Sequence, residues 1–249
     1  MRRIQRQPLD AAEQRFLTKR QNLVNAGQPV QPAWKSARQT LTMGRVFKVL
    51  CAMVGARERC FYCHDSRGTD IEHYRPKSDY PQHAFAWANM LLMCTGCNRA
   101  KLDAFPVDAA GGPLLIDPTA EDPWDSLFLE PVTGMLVARV DSVTGAENPR
   151  GRTTCDPGNL AINVEAVTEG RTRAARRLAR VVTLFLQASA DPANRANALA
   201  QLIQDVVDSD SSGVAVWFFH RDGQNSAPFS QLRDTDNLAW NDVQNIVPH

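Results

Sequence analysis

No apolar stretch in this 249-residue chain is long enough to cross a bilayer. Runs such as Gly213–Phe219 fall far short of the roughly 20 residues a membrane helix needs. The basic start, Met1 to Gln7, is not followed by an apolar core, so no secretory signal is expected. There is no G-x-x-x-x-G-K-[ST] phosphate loop, so this chain is expected to bind no nucleotide itself. Internal repeats and low-complexity tracts are also missing. A net charge of +1 rules out a polycation that coats nucleic acid on every side. There are only six cysteines. In a chain expected to stay in a reducing cytoplasm, they suit metal ligation better than disulfides. An apolar fraction of 43% is ordinary for a soluble globular protein.

The charge that is present is unevenly spread. Residues 1–60 carry 12 Lys/Arg against 3 Asp/Glu, residues 102–150 carry 2 against 9, and residues 191–249 carry 3 against 8. A basic front and acidic back fit a protein that meets nucleic acid on one side; a solvated helical surface fits as well. Apolar periodicity predicts a helix from Asp10 to about Gly27, then a break at Pro29 and Pro32. A second helix is expected over Trp34–Val54, with Leu41, Val46, Phe47, Leu50 and Val54 as its buried stripe. Ser126–Glu130 and Met135–Val140 flank Pro131–Gly134 as a hairpin. Helices are expected from Asn163 to about Ala188, from Asp191 to about Val207, and again from Phe229. Gly213–His220 reads as helix or strand. The regions are 1–57 (helical), 58–105 (cysteine-rich) and 106–249 (a short hairpin and helices).

The middle region carries the chemistry. Cys60-Phe-Tyr-Cys63 and Cys94-Thr-Gly-Cys97 are two C-x2-C knuckles, suited to one tetrahedral zinc held by four thiolates. The long gap between them must hold something folded. Cys51 and Cys155 lie outside the pattern and read as core; His64 is a competing ligand only if the cysteines leave a position open. Inside the gap stands Glu72-His73. A neutral imidazole at His73 can activate water. Glu72 is a hard oxygen ligand for Mg2+ or Mn2+, although adjacent strand residues point to opposite faces unless the hairpin bends. Asn89 can bridge backbone groups across the loop. Asn98 offers an oxygen at the start of a helix, with Lys101 one turn on to meet phosphate. Arg75 and Lys77 are further candidates for the nucleic-acid backbone.

This order of residues resembles the HNH nuclease family, whose ββα-metal fold is stapled in many members by four cysteines. Glu72 stands at the acidic position before the first His, which is His73. Asn89 matches the middle Asn, and Asn98 matches the final His that many members replace by Asn. The Glu72–Ser78 and Trp87–Leu92 stretches are similar to the nuclease subunits of Septu-type and retron-linked antiphage systems, which work beside an ABC/SMC-like ATPase. The resemblance implies an α+β, mostly helical fold, with a zinc-stapled ββα-metal module embedded between helical regions. It also implies hydrolysis of DNA with His73 as base, Glu72 and Asn98 on a catalytic cation, Asn89 and Lys101 in support, and an ATPase partner. A zinc-stapled binding module without catalysis is the rival reading, and a free-standing restriction-like nuclease a second. Arg171, Arg173, Arg176, Arg177 and Arg180 form a further basic group, for DNA, an acidic partner or solvent. His83, inside the loop, is a minor candidate to assist catalysis against a structural reading; Trp217–Phe219 read as core or a partner surface rather than a base-stacking platform; His220 and His249 carry no constellation of their own.

Overall fold

A computed structural model describes residues 1–209 and 213–247; His249 lies outside them. The chain opens with three helices, α1 (Ala11–Asn25), α2 (Val30–Arg38) and α3 (Leu41–Ala52). An antiparallel hairpin follows, β1 (Asp70–His73) on β2 (Met90–Met93), and runs into α4 (Thr95–Lys101). A second hairpin pairs β3 (Leu127–Glu130) with β4 (Met135–Ala138). The remainder is helical: α5 (Pro149–Cys155), the long α6 (Glu165–Ala188), α7 (Arg195–Ser209), α8 (Ala215–His220), α9 (Phe229–Thr235) and α10 (Asn237–Ile246). The architecture is therefore α+β and mostly helical, with two small sheets. No described helix is long and apolar enough to cross a membrane.

The helix expected over Trp34–Val54 is two helices. Thr40 Oγ1 donates to the Ala37 carbonyl at 2.7 Å and accepts from the Met43 amide at 3.2 Å, closing α2 and capping α3 at one residue. The restart shifts the helical phase, so Leu41, expected in the buried stripe, is 89% exposed. Within Gly213–His220 the helix is α8, Ala215–His220, and Ala215–Phe219 are all buried. Asn163 stands before α6, not within it. Its amide brackets Leu136, accepting from the backbone N–H at 2.9 Å and donating to the carbonyl at 2.7 Å.

One continuous apolar core takes in side chains from the N-terminal helices, both hairpins and the C-terminal helices. The cysteine-rich region is gripped from both sides. Arg6 donates to the carbonyls of Trp87 (2.7 Å), Ala88 (3.2 Å) and Met90 (3.1 Å). Tyr62 and Tyr74 donate their hydroxyls to the carbonyls of Ile116 (3.1 Å) and Leu115 (2.6 Å). Gly68 lets the first knuckle close on the hairpin: a Cβ there would lie 2.3 Å from Leu92 Cγ.

Candidate active site and metal centre

The two knuckles converge. The sulfurs of Cys60, Cys63, Cys94 and Cys97 all lie within 4.8 Å of one another, and all four residues are buried. Cys63 and Cys94 are 3.8 Å apart. That is the edge of a tetrahedron with sulfurs about 2.3 Å from a central zinc, and far beyond the ~2.0 Å of a disulfide. The second knuckle begins α4, where Cys94 Sγ accepts from the Cys97 amide at 3.4 Å. Burial pushes the Cys60 thiol well up, which disfavours a thiolate unless a cation compensates it. The donor set therefore fits a structural zinc. His64 is buried but stands outside this group, against Gly213.

The hairpin carries the next layer. Its register sets Glu72 opposite Leu91 and His73 opposite Met90. His73 is 1% exposed, with the Trp34 ring of α2 edge-on at 4.3 Å. Its Nε2 lies 2.9 Å from the Ala84 carbonyl oxygen. A carbonyl only accepts, so Nε2 carries the hydrogen and Nδ1 keeps the lone pair. Burial pulls the imidazole down to about 3, helped by Lys77 and opposed by the Ala84 bond, so the ring is neutral near pH 7. The loop between the strands is clamped by Asn89. Its Oδ1 accepts from the Arg75 amide at 2.7 Å, and its Nδ2 donates to the carbonyls of Arg75 and His83, each at 3.0 Å.

Glu72 and Asn98 open into one cleft of about 830 Å3. Its opposite wall is α2, through Gln31, Trp34, Lys35 and Arg38, and Lys77 adds a third cation. Arg38 is held by Asp70 at 3.1 Å. Among the described residues the Asn98 side chain has no hydrogen-bond partner. Two oxygen donors facing one opening fit a hard divalent cation that takes the rest of its shell from water or phosphate. Lys101, expected to meet phosphate, is instead fully buried, its Nζ 4.0 Å from Glu72 Oε1 and without a hydrogen bond. Burial lowers Lys101 and raises Glu72, and the charge of each partly opposes the other's shift.

Other expected residues fall elsewhere. Arg75 stacks on Phe105 and Tyr80, 5.1 and 5.6 Å from the ring centroids. It lines a separate cavity that also contains His83. On α6, Arg173, Arg176, Arg177 and Arg180 are exposed, whereas Arg171 is fully buried. Sequence reasoning missed the α2 wall. In the sequence Lys35 and Arg38 stand only as two cations of the basic front, and Trp34 as part of an apolar helix. The spacing of Trp34, Lys35 and Arg38 marks an amphipathic turn, but nothing in it says which element it faces.

No family model and no solved structure matches this chain. Over 63 residues it is 30% identical to Septu protein PtuB of Bacillus thuringiensis, a stretch that makes up 23% of this chain. The chain thus spans only 24% of that relative's length. Over that stretch it is similar to a Septu protein.

Proposed function

We propose that this chain is a metal-dependent endonuclease of the HNH kind that hydrolyses DNA phosphodiester bonds. We read it as the nuclease subunit of an antiphage defence complex with an ABC/SMC-like ATPase. The observation that supports the reading is the cleft into which Glu72 and Asn98 open under a basic rim; His73 follows Glu72 on β1, buried behind Trp34 of the cleft wall, neutral and with its Nδ1 lone pair set by the Ala84 carbonyl.

Glu72 and Asn98 would hold a divalent cation, Mg2+ or Mn2+, which when bound supplies charge stabilisation at the scissile phosphate. His73 Nδ1 takes the proton of the attacking water. Asn89 holds the backbone on both sides of the loop, so the ring and Glu72 keep their relative positions. Lys35, Arg38 and Lys77 bind the phosphates that flank the scissile bond. Lys101 balances Glu72 from within the protein. Cys60, Cys63, Cys94 and Cys97 fix α4, and with it Asn98, against the hairpin.

The test is plasmid cleavage by the purified chain, alone and with the ATPase, in Mg2+ and in Mn2+, beside His73→Ala. Wild type should nick or linearise DNA and the variant should lose about 100-fold or more, the usual contribution of a general base. Equal cleavage by both would sink the mechanism. A titration with Mn2+ separates the nuclease from a zinc-stapled binding module. The nuclease has a second metal site that weakens in Glu72→Ala; a binding module has none to lose.

A further inference from the structure

The proposed base and the proposed cation site do not share one opening. Glu72 and Asn98 line the cleft of about 830 Å3, and His73 is not among its lining residues. Only 1% of His73 is exposed. A base that takes a proton from attacking water has to come within hydrogen-bond reach of it, about 3 Å. A phosphate seated in the cleft would find the imidazole walled off.

One side chain belongs to both places. Trp34 of α2 lines the cleft, and it sets its ring edge-on against His73 with centroids 4.3 Å apart. The ring also packs against Phe85, at 5.4 Å. Among the described residues the Trp34 indole N–H makes no hydrogen bond, so packing alone holds the ring in place. It can be displaced without breaking a polar contact.

The helix that carries this ring is tied to the hairpin beside the site. Arg38, one helical turn beyond Trp34, pairs with Asp70 at the start of β1, at 3.1 Å. The two side chains are 52% and 29% exposed, so the pair is weak enough to open readily. Both partners line the cleft, where a phosphate would compete with Asp70 for Arg38.

We infer that Trp34 is a gate over His73, latched by the Arg38–Asp70 pair, and that the base is shut off from the cleft until the gate moves. The inference rests on the reading of His73 as the base and adds the control of its access. Trp34 acts through His73 and takes no part in the chemistry.

The experiment is histidine labelling of the full chain with diethyl pyrocarbonate, without DNA and without added Mg2+ or Mn2+, with rates read peptide by peptide in a mass spectrometer. The reagent needs a ring-nitrogen lone pair, which in His73 is that of Nδ1. Buried His64 and the partly exposed His83 serve as slow and fast references in the same sample. In wild type His73 should label as slowly as His64. Trp34→Ala should speed His73 about tenfold or more, as removal of a local barrier to opening does. Asp70→Asn should speed it about two- to fivefold, the range of an exposed ion pair. His64 should stay slow in both. A wild-type His73 that labels as fast as His83 overturns the inference, as does an unchanged His73 in either folded variant. If Trp34→Ala releases His64 as well, that variant has come apart, and Asp70→Asn alone decides. The labels need no catalysis, so plasmid cleavage by the same proteins tests the nuclease reading separately. No cleavage by wild type or by a gate-opened Asp70→Asn would count against the nuclease, whatever the labels show.

Discussion

At Asn89 a single carboxamide satisfies three backbone groups, one as acceptor and two as donor. Asn89→Asp preserves shape but removes both donations, and should cost about 2–4 kcal/mol in urea unfolding, two lost bonds plus buried acceptors left unpaired. A cost below about 1 kcal/mol would contradict the clamp. His73 gives a second residue-scale expectation. Its imidazole titrates near 6.5 when unfolded and near 3 when folded. Between those values the unfolded chain holds a proton that the native state refuses. Stability therefore falls on acidification, by about 1.4 kcal/mol per pH unit from this group, with no effect above 6.5. His73→Gln should flatten the slope by that amount between about pH 5.5 and pH 4, and an unchanged slope would mean that the ring is more accessible than its burial implies. Glu72→Gln should strand Lys101 without a counter-charge and cost about 3 kcal/mol, as removal of one partner from a largely buried pair does.

Among the elements, those with local signals were legible in advance. The knuckles, the Glu72-His73 hairpin and the turn at Pro131–Gly134 all announce themselves through turn chemistry or ligand spacing. The break at Thr40 was not legible, because no Gly or Pro stands at it (Gly44 lies inside α3) and the cap depends on one hydroxyl bonding both ways. Thr40→Ala should cost about 1 kcal/mol, read by thermal or urea melting. The α2 wall and the burial of Lys101 and Arg171 were also hidden. A lysine or arginine one helical turn from its neighbours reads as a surface charge until the facing element is known. At the start of α10, Asp236 caps the Ala239 amide at 3.1 Å and takes both a 3.0 and a 2.7 Å bond from Arg195 of α7. Its carboxyl is held below its ordinary value, first by the Arg195 bond. The stabilisation is thus full above about pH 4, the unfolded value, and disappears as pH falls further. Asp236→Asn should remove that acid-side loss; an identical acid titration in the variant would contradict it.

On the scale of the whole molecule, the core does not divide at the edges of the cysteine-rich region. Chelation of the zinc proposed for the four-cysteine cluster, or Cys97→Ser, should therefore lower the melting temperature of the entire chain in one transition. The expected drop is about 10 °C or more, the equivalent of a few kcal/mol at this size. A two-step melt in which the C-terminal helices survive unchanged would show them to be independent. The tyrosine hydroxyls seated on the carbonyls of Leu115 and Ile116 bear on how such a chain can be inherited. Tyr62 and Tyr74 belong to the cysteine-rich region, but their acceptors lie beyond its last helix. A recombination event that transplanted only residues 58–105 into another scaffold would carry two phenols away from their partners. The heritable unit is longer than the chemical one, and shuffled chimeras with a crossover past residue 118 should be recovered folded more often than those joined at 105.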